Sequence, residues 1–392
     1  MLNNYKIFLF FIILQPMVNS ITGISFVFHY PSIIGPLFYI TILFFSIIYL
    51  LSIKNLNIVI TLLLFNLYFL LLYYTNRVGI AGYFDILKVI LPFIVYLYAK
   101  NLNLRNKKLL LIINTIKKSF LFYSFFILLS FLISFHIQPQ LMGYFGFIHA
   151  GNDLILLLMF SLFFYSILKK KDIRSNLFIF ISYLLTLSKS IIIFGLVYLS
   201  SFVNKKNIFL VIISLLLLLY FIIIPLFDQK IFSYFSDANS VLDIYSNYKL
   251  EYILKIFSFG RSKFMFDIFS TDLKSFIDYI IGSGTIGAYI ITNGKIGAEM
   301  DPVDAYNIYG LVGLSFLILF YYIPIYRLNI PFKSKLLFTV IVIYSIIGGH
   351  FYNNPLVGFY YGLILGLLQN KNLFEIRSFF EISNSHKYTS TI

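Results

Sequence analysis

IIGPLFYITILFFSIIYLLSI, residues 33–53, runs for 21 positions without one Asp, Glu, Lys or Arg. A helix that crosses a bilayer needs about 20 predominantly apolar residues. This stretch meets that requirement, and the pattern recurs along the whole chain. Twelve spans are expected, at 7–28, 33–53, 57–74, 84–99, 119–136, 152–168, 175–188, 190–203, 207–226, 309–326, 336–350 and 356–369. Composition agrees: 60% of the 392 residues are hydrophobic, 11% are charged, and the mean hydropathy is +0.90. Soluble domains carry about 25% charged residues, so an ordinary globular protein is excluded. The apolar runs are continuous rather than alternating, which excludes a water-filled β-barrel. With no cysteine there is no disulfide framework, thiolate metal site or cysteine nucleophile. Five histidines are too few for a His-rich metal site.

Gln15, Asn19 and Ser20 dilute the first span, and a second follows at once. A retained first helix is therefore expected rather than a cleaved signal peptide. The seventh and eighth spans are short and share the break Ser188-Lys189-Ser190, so they read as a re-entrant or tilted pair. With the N-terminus inside, 20 of the 30 Lys and Arg fall on the cytoplasmic side, with only three of the 15 Asp and Glu. The net charge of +15 is thus the positive-inside signal of a multi-pass membrane protein, not a nucleic-acid footprint. The chain divides into spans 1–9 (1–227), an extracytoplasmic loop (228–308), spans 10–12 (309–369) and a cytoplasmic tail (370–392).

The long loop, about Asp228 to Tyr309, holds ten acids and seven bases. A connection of that length without structure is unusual. Leu250, Ile253 and Phe257 recur at helical spacing, so 246–259 is expected as a helix lying on the membrane surface. A second helical stretch is expected over 262–281, followed by a flexible turn at Gly282-Ser283-Gly284.

The candidate chemistry gathers in this loop and at nearby span ends. Glu299, Asp301 and Asp304 place three carboxylates within six residues. They can supply a general base with a neighbour that tunes it, hold a divalent cation, or, in the plainest reading, cap the next helix through Asp301 before Pro302. Arg261 is the loop's only arginine, and a guanidinium forks onto phosphate oxygens; the plain reading is a surface arginine. Lys189 lies between two short spans, either buried and functional or in a surface hairpin. Arg77 ends the third span and adds positive charge there. Asp85 and Lys88, one turn apart in the fourth span, are expected to pair. His350 follows Gly348-Gly349 in a tight polar turn and is a candidate proton carrier. An outward site with cations for an anion and an acid for a proton suits a phosphate-bearing substrate.

Several short motifs occur in one order: Leu187-Ser188-Lys189-Ser190, Gly260-Arg261, Ile281-Gly282-Ser283-Gly284, Glu299-Met300-Asp301-Pro302-Val303-Asp304 and Tyr309-Gly310-Leu311-Val312-Gly313. Gly349-His350 is a weaker addition. The chain in this respect resembles the bacterial O-antigen polymerases of the Wzy type, within the wider O-antigen polymerase and ligase group. The resemblance implies an all-α integral membrane glycosyltransferase of GT-C-like architecture with about twelve spans. It implies joining of oligosaccharide repeat units carried on undecaprenyl diphosphate at the outer face of the cytoplasmic membrane, with no metal or other cofactor. On this resemblance Arg261, helped by Lys189 or Arg77, grips the diphosphate. An acid from Glu299, Asp301 and Asp304 activates the acceptor hydroxyl, and His350, Gly282 and Gly284 contact substrate. Membrane lipid, a chain-length regulator and a flippase are the implied partners.

Ligases of the group place a catalytic His, often followed by Asn, just before the span that Tyr309 opens. This chain has Asp304 and no His there, which favours polymerase over ligase. Its Lys189 stands where the family usually offers an Arg. A flippase or transporter of lipid-linked sugar is the alternative of another class. It would show paired helical halves and charges inside its spans. A purely structural membrane protein is the plainest alternative.

Overall fold

The computed structural model describes residues 4–30, 33–79, 82–102, 106–133, 144–147, 151–168, 173–186, 194–195, 197–198, 268–269, 275–291, 300–349 and 351–370. Every regular element among them is helical. The helices are α1 (Asn4–Val27), α2 (Ile34–Ser52), α3 (Leu56–Tyr74), α4 (Gly82–Asn101), α5 (Asn106–Leu132), α6 (Gly151–Ile167) and α7 (Ile173–Leu185). Then come α8 (Phe276–Ile281), α9 (Gly284–Ile291), α10 (Asp301–Phe316), α11 (Phe332–Gly348) and α12 (Pro355–Leu368). α10 runs on through a π-helical turn, Leu317–Tyr322, into Ile323–Arg327. Among the described residues six stretches are long and apolar enough to cross a membrane: Tyr5–Ser25, Ile34–Ser52, Leu56–Tyr74, Gly82–Asn101, Lys107–Leu132 and Asp301–Arg327. The chain is therefore a helical multi-pass membrane protein. The expected span 207–226, most of 190–203, and the expected surface helix 246–259 lie outside the described residues.

Two helices, α5 and α10, start two turns or more before the apolar pattern. α5 begins 13 residues before the expected 119 because it runs through Lys117 and Lys118. Lys117 is buried, with its ammonium 4.9 Å from the centre of the Tyr165 ring, a cation–π contact that offsets the cost of burying the charge. α10 begins at Asp301 rather than 309, for a reason that belongs to the site.

α12 is the central helix, and every residue from Leu356 to Leu368 is buried. Gly358, Gly362 and Gly366 recur every fourth position and face α4. A Cβ on Gly362 would stand 2.1 Å from the Pro92 carbonyl oxygen, and one on Gly366 2.6 Å from that of Tyr96. Between helices in lipid, such close backbone approach replaces the hydrophobic effect as the source of cohesion. Pro324 removes the N–H that would bond the Phe320 carbonyl. The buried Tyr361 hydroxyl donates to that carbonyl (2.6 Å) and to the Tyr321 carbonyl (2.9 Å) instead.

The polar residues of α1 work in the same way. Asn19 Nδ2 donates to the Tyr123 hydroxyl (2.9 Å) and its Oδ1 accepts from the Tyr39 hydroxyl (3.0 Å), tying α1 to α5 and α2. The first helix is thus built into the bundle.

Helix direction alternates, so the bundle has two chemically different ends. At one end Lys108 lies over the Tyr5 ring at 4.7 Å, Tyr49 Oη donates to the Asn101 carbonyl, and Lys335 Nζ donates to the Tyr326 carbonyl. Lys54, Lys100 and Arg327 close helices at this basic end. The other end gathers the close of α3, α8 and α9, the start of α10, and the turn between α11 and α12.

Candidate functional site

The site end is assembled from the close of α3 outward. Asn76 ends that helix in the left-handed conformation (φ 55°), which asparagine tolerates. Its N–H bonds the Tyr73 carbonyl, and the Arg77 N–H bonds that of Leu72. This turn aims Arg77 at α8. The guanidinium pairs with the Asp278 carboxylate and donates to the Gly282 carbonyl. Asp278 is itself fixed by a capping box with Ser275. Arg77, expected as a phosphate contact, is thus held in a partly buried pair within the scaffold.

Gly282-Ser283-Gly284, expected as a flexible turn, is instead a packed crossing over α10. Gly282 (φ 87°) has no room for a Cβ, which would lie 2.2 Å from the Ile308 carbonyl oxygen. Gly310 (φ 61°) answers it, with the Ile280 carbonyl oxygen 2.4 Å from its ideal Cβ position. Only glycine adopts these conformations at such distances without strain. Gly284 packs likewise against the Arg77 carbonyl. The Ser283 N–H donates to the Asn307 carbonyl (2.9 Å). The Tyr68 hydroxyl donates to the carbonyls of Ile281 (2.7 Å) and Tyr309 (3.1 Å), locking both strands of the crossing to α3. Gly310 interrupts the helical dihedrals of α10. Apolar periodicity therefore begins near 309, while a polar helical turn, 301–309, precedes the break.

That polar turn carries the carboxylates. Asp301 is fully buried and its Oδ2 accepts from the Phe351 N–H at 2.9 Å. It does not cap α10, whose N-cap is Met300. Asp304, 5% exposed, accepts from the Met300 N–H at 3.1 Å. Both stand in the first turns of a helix, where free N–H groups and the helix dipole favour negative charge. Asn307 continues the same three-residue spacing and is fully buried. Among the described residues neither polar atom of its side chain has a hydrogen-bond partner, and the Ser283 and Tyr352 hydroxyls have none either. Each such group costs about 1–3 kcal/mol while it stays unmet. Burial, and then the charge of Tyr309, Asp304 and Asp301, pushes the Tyr352 hydroxyl well above its usual 10, so it remains a protonated donor.

Beside these groups lies a cavity of about 460 Å³ between α3, α4 and α10. Tyr68, Tyr309 and Tyr352 stand in its wall, with Leu64, Val89 and Val312. Asp85 and Lys88 pair at 2.8 Å on α4, as expected.

The structure thus brings together Asp301, Asp304, Gly282, Gly284 and Arg77. Glu299, Arg261, Lys189 and His350 lie outside the described residues. Asn307, Ser283, Tyr352 and Asp278 join the site without having been singled out from sequence. The signal for Asn307 was its place in Asp301-x-x-Asp304-x-x-Asn307, one polar face leading into an apolar run. Among the described residues no three His, Asp or Glu side chains gather to hold a metal ion. No protein-family model, curated protein or solved structure matches this chain.

Proposed function

We propose that the chain is a membrane glycosyltransferase that joins lipid-diphosphate-linked oligosaccharide repeat units into a surface polysaccharide, an O-antigen or a capsule. The observation that carries this reading is the buried Asp301 and Asp304 pair at the bundle end opposite the basic end, beside a mostly apolar cavity. By the positive-inside rule the carboxylate end faces outward. The ordered motifs shared with Wzy-type polymerases support the same reading, and so does the lack of a His before Gly310.

In this mechanism an acceptor sugar hydroxyl attacks C1 of the donor chain's reducing-end sugar. The C1–O bond to the lipid diphosphate breaks, and the lipid diphosphate leaves with the bonding electrons. The hydroxyl proton passes to a carboxylate, for which Asp304 is the first choice. Burial and a positioned neighbour suit a carboxylate to that task. Arg261 and Lys189 are assigned to the leaving diphosphate, Glu299 to the carboxylate group, and His350 to substrate contact.

The test is electrophoresis of the surface polysaccharide from a strain lacking this chain, with lipid-linked intermediates extracted in parallel. A core bearing one repeat unit and no ladder is the expected result. Bare core with long chains still on the carrier would replace this reading with a ligase. Bare core with single units trapped on the inner leaflet would replace it with a flippase.

A further inference from the structure

The two short helices at the site end carry an exposed surface that the transfer chemistry does not use. α9, GTIGAYII, holds no charged residue. Gly284, Ala288 and Ile291 form its buried face at helical spacing. Ile286, Tyr289 and Ile290 form the other face, and they are 45%, 55% and 58% exposed. In α8, Phe276, Ile277 and Ile280 are exposed as well, and the one charged residue, Asp278, is turned to Arg77. A helix that is apolar on every side belongs inside a protein or inside a membrane. These two are covered by protein on one side only.

Their level in the bundle decides what covers the other side. Tyr68 lies about 9 Å short of the end of α3 at Tyr74. Side chains on a helix lean toward its N-terminus, so the Tyr68 hydroxyl stands no nearer to that end than its own Cα. The Ile281 and Tyr309 carbonyls that accept from it are therefore within the depth of the α3 span, not above it. From Tyr309 to Asp301 the helix climbs back about 12 Å, which brings Met300 and Val303 level with the close of α3. α9 is fastened at this level at both ends. The Ile286 N–H donates to the Arg77 carbonyl just past α3 (3.1 Å), and Ile291 packs on Met300 and Val303. α8 thus dips into the depth of the span, and α9 lies in the plane of the membrane at its edge. α3, to which both are fastened, faces lipid at the same depth, with Leu67, Leu71 and Tyr74 exposed.

We propose that α8 and α9 form an in-plane anchor, its exposed faces immersed among the acyl chains of the leaflet at the carboxylate end. Apolar helix faces of this kind bury themselves at the headgroup–acyl boundary, and Tyr279 and Tyr289 suit that boundary, where amphipathic rings collect. The anchoring holds whatever reaction the chain performs. Through the Gly282–Gly310 crossing it fixes Asp301 and Asp304 at the depth of the lipid headgroups.

The test uses the absence of cysteine from the chain, which lets a single introduced cysteine carry a nitroxide label without background. Ile277→Cys and Ile290→Cys are labelled in the full chain, reconstituted into vesicles of phosphatidylcholine and phosphatidylglycerol. Leu67→Cys on the exposed face of α3 is the lipid reference, and Lys333→Cys, exposed at the basic end, is the water reference. Power saturation compares relaxation by oxygen, which concentrates in lipid, with relaxation by a nickel chelate, which stays in water. Oxygen should outweigh the chelate at 277 and 290, as at 67, with the order reversed at 333. An excess of chelate relaxation at 277 and 290 would put both helices in water and overturn the proposal. Protection from both reagents would show that protein covers these faces, another part of this chain or a second copy, and would overturn it too. If the label at 290 lowers the helical circular dichroism, Tyr289→Cys takes its place.

Discussion

Asn19 and Asn307 are two asparagines inside a helical bundle, and the protein treats them in opposite ways. Asn19 spends both amide atoms on tyrosines of neighbouring helices. Asn307 is more deeply buried, yet among the described residues neither of its side-chain polar atoms has a hydrogen-bond partner. The first binds helices together, as polar side chains in membranes commonly do. The second carries a cost that folding alone does not recover. At the same end of the bundle are the buried carboxylates of Asp301 and Asp304, each accepting a backbone N–H, and the Ser283 and Tyr352 hydroxyls, which have no hydrogen-bond partner among the described residues. The difference separates polar groups that are bonded within the fold from polar groups that the proposed function assigns to the substrate end.

Several substitutions break or sharpen that contrast. Removing the carboxylate charge by Asp304→Asn should have the largest effect, a loss of about 100-fold or more in chain extension at unchanged protein level. Arg77→Met leaves Asp278 partly buried and without its cation. It should destabilise the protein by about 3 kcal/mol, read as a lower melting temperature in detergent. Gly362→Val forces a side chain into the Pro92 carbonyl and should cost about 1–3 kcal/mol by the same measurement. The smallest and most discriminating pair is Asn19→Leu against Asn307→Leu. The first loses two interhelical hydrogen bonds and should lower stability by about 1–2 kcal/mol. The second sheds two unmet polar atoms, so it should leave stability unchanged or raise it while chain extension falls. Equal destabilisation by both would erase the distinction between them.

The helical membrane class was legible from residues 33–53 alone, because an uninterrupted apolar run of that length has one solution in lipid. Boundaries were less legible wherever a polar residue found a partner far away in sequence. Lys117 hid the start of α5 because its partner, Tyr165, lies on another helix. Asp301-Pro302 marks a helix start in the sequence, but the apolar run begins only near 309, so the first turns of α10 fell outside the expected span; Asp301 and Asp304 look solvated until the Phe351 N–H and the Gly282–Gly310 crossing enclose them. The carboxylates themselves were visible as a cluster of three acids. Asn307, Ser283 and Tyr352 were not, since an unmet hydrogen bond is a property of the fold and leaves no mark on a sequence. The glycines at 358, 362 and 366 were equally silent until α4 was seen against them.

The most direct measurement is the surface-polysaccharide profile of a strain carrying Asp304→Asn at wild-type abundance, beside one carrying Asn19→Leu. If the buried carboxylate end is the transfer site, the Asp304 variant gives core with a single repeat unit and no ladder, while the Asn19 variant keeps its ladder. A ladder of ordinary length from Asp304→Asn would contradict the assignment of that end of the bundle to catalysis.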